Sequence, residues 1–352
     1  MKRFWDFFWP AVGLGAVIWS VRLLYLKLEA EAATDGAIRK LLDEGDLWSD
    51  IQVIASVISQ KLHAISPQAH FLSLLSTLVA YGALAWYDRI ALIYLKREQN
   101  ISWLYISMCS FVTYALSHNI GASVFSGGMV RYRAYSAKNL TPAEIAALVA
   151  LCSFTFAFGT MMMLGLVLVF EPQILEPLKS WSPLFAMSET LARGSGAFLL
   201  LLCMIYTIGA WKGFKPVKIG GFELFYPGMN VVLRQYLAAP LELIGAAGII
   251  YFALPAEGNP GYAIVLGAFL LSFSAGLLSQ VPGGVGVMEA VFLAIMPGLP
   301  ASSVFAALLV WRMLYLIMPL VFALPVILLF ERSQLGQLTR HLRDPKDEAA
   351  SH

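Results

Sequence analysis

Long apolar runs, broken by glycine, proline and arginine, constrain the fold of this chain more than any other feature. A transmembrane α-helix needs about 20 consecutive, mostly apolar residues. Runs of that order occur at 7–28, 69–95, 101–120, 143–170, 195–211, 231–254, 261–279 and 303–330, and a shorter run covers 287–297. The pattern predicts an all-α, polytopic integral membrane protein with about eight transmembrane helices.

The composition agrees with a protein that lies in lipid. Only 13% of the 352 residues are charged, whereas soluble domains carry roughly 25%. The net charge of +2 and the lack of a basic face argue against nucleic-acid binding. Cys109, Cys152 and Cys203 lie in apolar runs without metal-ligand spacing, so we expect no disulfide framework, no metal site and no cofactor.

We expect one transmembrane domain over 1–330, followed by a short cytoplasmic tail over 331–352. The first run is too long for a signal peptide and is interpreted as a retained helix. The connection over 29–66 is polar, and its second half has the helical periodicity of a segment that lies along the membrane surface. Lys2 and Arg3 predict a cytoplasmic N-terminus.

The positions of the basic residues then conflict with the predicted number of membrane crossings. Lys96 precedes the third run and Arg131 follows it, yet both favour the cytoplasmic side, which a single crossing forbids. We therefore predict a broken or re-entrant segment within 101–130 that turns at Gly121 or at Gly127 and Gly128, because glycine lets the backbone bend inside protein. An exception to the charge rule is the alternative.

A second glycine pair repeats this arrangement. Gly283 and Gly284 lie in QVPGGVGVMEAVF, just before the short apolar run, and the basic tail after the last run again requires a half-crossing. We predict a second broken or re-entrant segment within 280–300. Transporters with inverted repeats bind substrate at such interrupted helices; the alternative is a pair of ordinary glycine-rich turns.

Charges inside apolar runs are functional candidates by default, since a charge within a membrane is costly. Arg131 lies close to the first glycine pair, where a guanidinium suits a lipid phosphate that it can bind through two parallel hydrogen bonds. Glu289 follows the second pair, near the N-terminus of a new helix, where the helix dipole favours an ionised carboxylate. The remaining candidates are Asp88, Glu242 and Arg312.

Each candidate also has a structural interpretation, and the residues alone leave both open. Asp88 can pair with Arg89 or with Arg131, and Glu289 can pair with Arg312 to fix helix register. No Walker A loop, HExxH motif or nucleophile elbow is present in the sequence, so we expect no enzymatic activity.

The segment FSGGMVRYRAYSAKNLTPAEIAALVALCSFTFAFG (125–159) resembles the membrane part of the lysylphosphatidylglycerol synthase/flippase family, MprF. WYDRIALIYL (86–95) and QVPGGVGVMEAVF (280–292) occur in the same order as in that family. Its members couple a soluble aminoacyl-transferase domain to a membrane module that moves the product lipid to the outer leaflet. Because the chain ends soon after its last predicted helix, it is similar to the stand-alone YbhN-type module without the transferase.

The resemblance implies a phospholipid translocase of the bacterial inner membrane, with aminoacyl-phosphatidylglycerol as one possible cargo. Membrane phospholipids are then the partners, and a headgroup lies between the broken helices. The expected headgroup site comprises Arg131, Glu289, Asp88, Arg312, Glu242, Gly127, Gly128, Gly283 and Gly284. A non-transporting partner of a separate lipid-modifying enzyme is the main alternative, and a membrane-embedded enzyme is a weaker one.

Overall fold

The computed structural model describes residues 47–120, 123–180, 188–214, 217–219, 222–224 and 226–343, together with 22, 25 and 26. The predicted first helix over 7–28 and the polar connection before residue 47 lie largely outside the described residues. The helices are α1 Leu47–Ala64, α2 Pro67–Tyr94, α3 Trp103–Ile120, α4 Ser123–Ser136, α5 Pro142–Phe170, α6 Glu189–Lys212, α7 Met229–Ala253, α8 Tyr262–Leu278, α9 Val287–Ile295, α10 Ala301–Trp311 and α11 Met318–Arg343.

Shorter elements join these helices. A π-helical turn at Arg312–Ile317 connects α10 to α11, and 3-10 turns occur at Glu98–Asn100, Pro172–Ser180 and Pro282–Gly284. Strands β1 Val217–Ile219 and β2 Phe222–Leu224 form a small antiparallel hairpin, which the apolar pattern did not indicate. The last helix continues past residue 330 to Arg343.

The all-α, polytopic membrane fold is confirmed. Within the described residues, five helical segments are long and apolar enough to span a membrane: α2, α5, α6, α7 and the continuous rod Ala301–Phe330 that runs from α10 through the π turn into α11. Two of these spans begin at side-chain caps followed by proline, at Ser66 and Thr141. Proline fits the first helical turn because the N–H groups there have no partner within the helix.

Helices α2 and α7 form the central antiparallel pair. The hydroxyl of Ser73 donates to the carbonyl of Ile249 at 3.0 Å, and the hydroxyl of Tyr87, further along α2, donates to Glu242, earlier in α7. Between these points a Cβ on Gly245 would lie 2.7 Å from the backbone nitrogen of Ala80. Small residues thus let the two backbones approach, as is usual for helices packed in membranes.

Two ends of the bundle can be defined from the described contacts. Arg97, just after α2, bonds to Glu144 in the first turn of α5 at 2.7 Å, and we call this side the Arg97 end. Helix α5 finishes at Glu171 on the opposite side, which we call the Glu171 end. Helix α6 runs antiparallel to α5. A Cβ on Gly196, early in α6, would meet the carbonyl of Gly165 late in α5, and the ring of Tyr206, late in α6, lies 4.8 Å from that of Phe154, earlier in α5.

Helices α3 and α4 form a hairpin that enters from the Arg97 end and returns to it. Near its base, the hydroxyl of Tyr105 donates to the carbonyl of Ala134 at 2.7 Å, and the ammonium of Lys138 lies 4.5 Å from the centre of the Tyr105 ring. Its tip is formed by the last turn of α3 and the first turn of α4, and the candidate turn residue Gly121 lies outside the described residues. We call this pair of helices hairpin 1.

Helices α8 and α9 form a second hairpin that enters from the opposite side. A Cβ on Gly267 would overlap the side chains of Val167 and Ile174, so α8 begins at the Glu171 end. Ile264 of α8 and Ile295 of α9 line one cavity there, so α9 returns to the same end. We call this pair hairpin 2; its tip is the turn 279–286.

The two hairpins meet tip to tip inside the bundle. The carbonyl oxygen of His118, in the last turn of α3, lies 3.9 Å from the position of a Cβ on Gly283 in the tip of hairpin 2. The prediction of two re-entrant segments, near 101–130 and 280–300, is therefore confirmed, and the two enter from opposite ends. The rod from α10 to α11 crosses beside this junction.

Candidate functional site

The first candidate cluster joins hairpin 1 to the span α2 by a buried ion pair. A guanidinium nitrogen of Arg131, Nη2, lies 2.6 Å from Oδ1 of Asp88, and Nε lies 3.2 and 3.3 Å from the two carboxylate oxygens. The Asp88 side chain is 0% exposed and that of Arg131 is 5% exposed. The sequence left Arg89 and Arg131 as alternative partners of Asp88, and in the structure the partner is Arg131.

Other groups complete the environment of this pair. The hydroxyl of Tyr135 donates to Oδ2 of Asp88 at 2.9 Å, and the thiol of Cys152 lies 3.5 Å from Oδ1. On its other side, the Arg131 guanidinium carbon stands 4.9 Å from the centre of the Tyr114 ring. A charge that leaves water needs such partners, and here carboxylate, phenol and ring face supply them.

The first glycine pair brings α4 close to α3 at this cluster. A Cβ on Gly127 would lie 3.2 Å from the methyl group of Thr113 and 3.5 Å from a guanidinium nitrogen of Arg131. Gly128 faces Val149 more loosely, at 4.0 Å. Gly127 and Gly128 lie within α4 rather than at the turn, so their effect is close helix packing and not the bend that the sequence suggested.

The second cluster joins hairpin 2 to the membrane-spanning rod, again by a carboxylate and a guanidinium. Oε1 of Glu289 accepts from Nε of Arg312 at 2.5 Å, and Oε2 accepts from the backbone N–H of Gly286 at 2.7 Å. Glu289 is thus the third residue of α9 and caps its first turn, where sequence reasoning placed it. The exposed fractions are 12% for the Arg312 side chain and 8% for that of Glu289.

The second glycine pair forms the tip to which this cluster is attached. Gly283 and Gly284 have φ of +61° and +60°, a left-handed conformation that glycine adopts without a steric penalty. The carbonyl of Gly283 accepts from Nη1 of Arg312 at 2.9 Å. Nη2 of Arg312 is buried and makes no hydrogen bond to the described residues.

The π turn that carries Arg312 is held by side chains from several helices. The hydroxyl of Tyr81 donates to the carbonyl of Tyr315 at 2.9 Å, and the amide of Asn119 donates to the carbonyl of Leu316 at 3.0 Å. Wider π geometry displaces backbone carbonyls from regular helical bonding, and such turns occur often at functional sites. Here Tyr81 of α2 and Asn119 of hairpin 1 supply the hydrogen-bond donors for these carbonyls.

Glu242 of α7 lies apart from both ion pairs. Its Oε1 accepts from the hydroxyl of Tyr315 at 2.7 Å, and its Oε2 lies 3.5 Å from the hydroxyl of Tyr87. It is 1% exposed, and among the described residues no cationic side chain lies within salt-bridge distance. Its partners are therefore two phenols rather than a positive charge.

An aromatic contact series connects the Asp88–Arg131 cluster to the surroundings of Glu242. The His118 ring stacks on Tyr315, with centroids 5.3 Å apart, and lies 5.5 Å from Tyr114. Tyr114 in turn contacts Arg131 and the edge of Tyr87. His118 therefore lies between the first cluster and Glu242, and its Nδ1 is buried without a hydrogen-bond partner in the described chain.

Two cavities accompany these groups. One of about 40 Å³ lies between the hairpin tips, where Ser117 and His118 face Gln280 and Gly283; a water molecule needs about 10–15 Å³. The other, of about 350 Å³, lies between α3, α4 and α11. Its lining is apolar except for Tyr105 and Arg133.

The structure thus gathers the sequence candidates into three groups: Asp88 with Arg131 and Gly127; Glu289 with Arg312, Gly283 and Gly284; and Glu242 alone among tyrosines. Sequence reasoning did not include Tyr87, Tyr315 or His118 among the candidate residues. The sequence could have pointed to Tyr87 and Tyr315, because tyrosine in membrane proteins favours the interfaces and these two tyrosines interrupt apolar runs. Within the described residues no cluster of three or more His, Cys, Asp or Glu side chains is placed to hold a metal ion.

Comparison with known proteins adds independent information. No protein-family profile matches the chain. The inner membrane protein YbhN of Escherichia coli is 31% identical over 276 residues, which cover 77% of this chain and 81% of YbhN. An uncharacterized protein of Synechocystis is 32% identical over 244 residues, covering 69% and 73% of the two chains. A phosphatidylglycerol lysyltransferase of Staphylococcus haemolyticus is 32% identical over 91 residues, 25% of this chain and 11% of that protein.

Proposed function

Because this chain belongs to the family of the inner membrane protein YbhN, we propose that it is an inner-membrane phospholipid translocase. The observation that carries the proposal is the pair of opposed hairpins, each bound to a membrane-spanning element by one buried carboxylate–guanidinium pair. Interrupted helices that enter from opposite ends and meet inside the bundle are the places where transporters bind substrate.

The chemistry of the two pairs fits a phospholipid headgroup. Arg131 presents three donor contacts to the two oxygens of Asp88, and a phosphate offers oxygens in a similar arrangement. Glu289 accepts from Arg312, and a headgroup ammonium is a cation that can replace it. In this proposal the phosphate takes the place of Asp88 at Arg131, and a headgroup ammonium, where the lipid has one, takes the place of Arg312 at Glu289. The displaced side chains are solvated by the water that enters with the headgroup, because an uncompensated buried charge is costly.

The hairpin tips must separate for this exchange to occur. The cavity between them, about 40 Å³, has room for water but not for a headgroup. Arg312 contacts both the tip carbonyl of Gly283 and Glu289, so movement of the rod at its π turn would release both bonds together. The acyl chains stay in lipid, and the apolar cavity beside α3, α4 and α11 offers them a path along hairpin 1.

The distribution of basic residues gives the proposed orientation. Lys96, Arg97 and Lys138 lie at the Arg97 end. At the other end, the 3-10 turn Pro172–Ser180 has one basic residue, Lys179, which is paired with Glu176. Basic residues near helix ends favour the cytoplasm, so we place the Arg97 end there, together with the N-terminus. Phosphatidylglycerol and its aminoacyl form are the first lipids to test, because one relative is named for lysine transfer to phosphatidylglycerol.

A leaflet assay in proteoliposomes tests the proposal. Fluorescent phosphatidylglycerol or its lysylated form is reconstituted with purified protein, and a membrane-impermeant quencher reads how much lipid reaches the outer leaflet. The informative variants are Asp88→Asn/Arg131→Met and Glu289→Gln/Arg312→Met, since each removes one ion pair and leaves no buried charge behind. The matched control is Glu189→Gln/Arg193→Met, an exposed pair 3.9 Å apart on α6.

We expect wild-type protein and the control variant to move lipid faster than protein-free liposomes, and both buried-pair variants to lose that activity. Equal activity in all four proteins would exclude the ion pairs from the mechanism. If folded wild-type protein moves neither lipid, the alternative of a non-transporting membrane partner gains support, and a lipid-modifying enzyme that co-purifies with the chain would establish it.

A further inference from the structure

Glu242 is a buried carboxyl group that has no cationic side chain within salt-bridge distance among the described residues. It is hydrogen-bonded to Tyr315 of the π turn, the segment that moves in the proposed transport cycle. It can therefore have a role in transport that differs from the roles of the two ion pairs. The carboxyl group is 1% exposed, and the bonds that reach it come from the phenols of Tyr315 and Tyr87. An ionised carboxylate left in such a site without a counter-charge is strongly disfavoured, whereas the neutral acid is tolerated when hydrogen-bonded.

The groups on neighbouring elements do not supply a counter-charge that would favour the ionised form of Glu242. Helix α2 contributes Tyr81 and Tyr87, and the π turn contributes Tyr315; the cation nearest in the contact series, Arg131, is already paired with Asp88. The titratable side chains that interact with Glu242 are those of Tyr81, Tyr87 and Tyr315. One contact or more further away, in the aromatic series and the first cluster, lie Tyr114, His118, Asp88, Arg131 and Cys152. Helices α8 and α10 carry no Asp, Glu, Lys, Arg or His.

The hydrogen bond from Tyr315 links this acid to the conformational change. Tyr315 lies three residues after Arg312 in the same π turn, and the ring of His118, at the hairpin tip, stacks on it. A movement that separates Arg312 from Glu289 therefore also displaces the phenol that bonds to Glu242. His118 also lines the tip cavity, into which water can enter when the tips separate.

We propose that Glu242 takes up and releases one proton in each transport cycle, so that a pH gradient drives the lipid movement. In the closed state described above, Glu242 is a neutral carboxylic acid. When the π turn moves and water reaches the site, the O–H bond breaks, the proton passes to water, and the carboxylate remains solvated until it is protonated again from the other side. The proposal rests on the translocase function.

The test uses the same proteoliposomes with an imposed pH difference of one unit, and with equal K⁺ on both sides plus valinomycin to hold the membrane potential at zero. One pH unit corresponds to a tenfold ratio of proton activity, so one proton per lipid predicts a steady-state leaflet ratio that moves from 1:1 towards about 10:1. Glu242→Gln keeps an acceptor oxygen for the phenol of Tyr315, and its amide N–H can donate to the oxygen of Tyr87, but the side chain cannot ionise. Glu257→Gln, in an exposed loop, is the matched control.

We expect wild type and Glu257→Gln to build the asymmetry, and Glu242→Gln to equilibrate lipid at 1:1 whatever the pH difference. An unchanged asymmetry in Glu242→Gln, a wild-type ratio that stays at 1:1 while lipid still exchanges, or an asymmetry that follows an imposed Na⁺ gradient instead would each overturn the proton role alone. A wild-type protein that moves no lipid would overturn the translocase function, and the coupling with it.

A spectroscopic measurement examines Glu242 without transport. Infrared spectra of the reconstituted protein near neutral pH should contain the carbonyl stretching band of a protonated carboxylic acid, which shifts in ²H₂O. We expect this band to be lost in Glu242→Gln and kept in Glu257→Gln. A band of equal intensity in wild type and Glu242→Gln would show that Glu242 is ionised at rest and would overturn the proposal.

Discussion

The pairing of Asp88 with Arg131 predicts a pattern of stability that a double substitution reveals. In Arg131→Met the carboxylate of Asp88 loses its guanidinium, yet it stays at 0% exposure between α2 and hairpin 1. Only the hydroxyl of Tyr135 at 2.9 Å and the thiol of Cys152 at 3.5 Å remain as partners. Leaving one member of a buried pair uncompensated costs about 3–5 kcal/mol.

The double variant Asp88→Asn/Arg131→Met should recover most of this loss. It carries no buried charge, and the side-chain oxygen of asparagine still accepts from Tyr135. The remaining cost is the unpaired amide N–H of the asparagine, about 1–2 kcal/mol. We therefore expect the double variant to be more stable than Arg131→Met by about 2–3 kcal/mol, since replacing a whole buried pair is often close to neutral.

Reversible unfolding in mixed detergent micelles gives the free energy of unfolding of each variant. The exposed pair on α6 serves as the control: Arg193→Met should change stability by less than about 0.5 kcal/mol, because an ion pair in solvent contributes little. If the double variant is as unstable as Arg131→Met, the uncompensated charge is not the cause of the loss. In that case the reasoning about this cluster is wrong.

Two further predictions concern glycines at specific contacts. Gly159→Ala should destabilise the protein by about 1–3 kcal/mol through overpacking, because the new Cβ would lie 2.5 Å from that of Ala239; Gly82→Ala, which meets open space, should be neutral or slightly stabilising in the same unfolding assay. Gly283→Ala should cost about 1–2 kcal/mol because φ is +61° at this tip position. Gly298→Ala, with nothing within 4 Å, is its control, and equal stability of the two would contradict the argument from backbone conformation.

Much of the architecture could be predicted from the sequence, because a membrane restricts the length of apolar segments and the side on which basic residues lie. The length of the apolar runs indicated the spans, and the parity of basic residues around Arg131 required a chain that enters and returns. The Pro-Gly-Gly turn before Glu289 predicted a helix start there, and the structure confirms the capping contact with Gly286. These inferences depend on short local motifs or on which side of the membrane a basic residue prefers. Both kinds of information are present in the linear sequence.

The parts that could not be predicted depend on contacts between distant segments. Glu242 bonds to Tyr315, 73 residues away in the sequence, and nothing near either residue specifies the other. The π turn at Arg312–Ile317 has no local sequence signature; it is stabilised by donors from α2 and α3. The role of Gly127 was misread for the same reason, since its constraint is the approach of α3 and not a bend in its own helix.

The most direct test of the account asks whether the hairpin tips must part for lipid to move. Ser117 and Gln280 line the small cavity between the tips from opposite hairpins. The test protein carries alanine in place of the native Cys109, Cys152 and Cys203, so that only introduced thiols react. The double variant Ser117→Cys/Gln280→Cys can be joined by a short thiol-specific cross-linker that a reductant removes, with each single variant as a control. We expect cross-linking of the double variant alone to stop lipid movement, and reduction to restore it. Unimpaired movement with the tips joined would contradict the proposed mechanism.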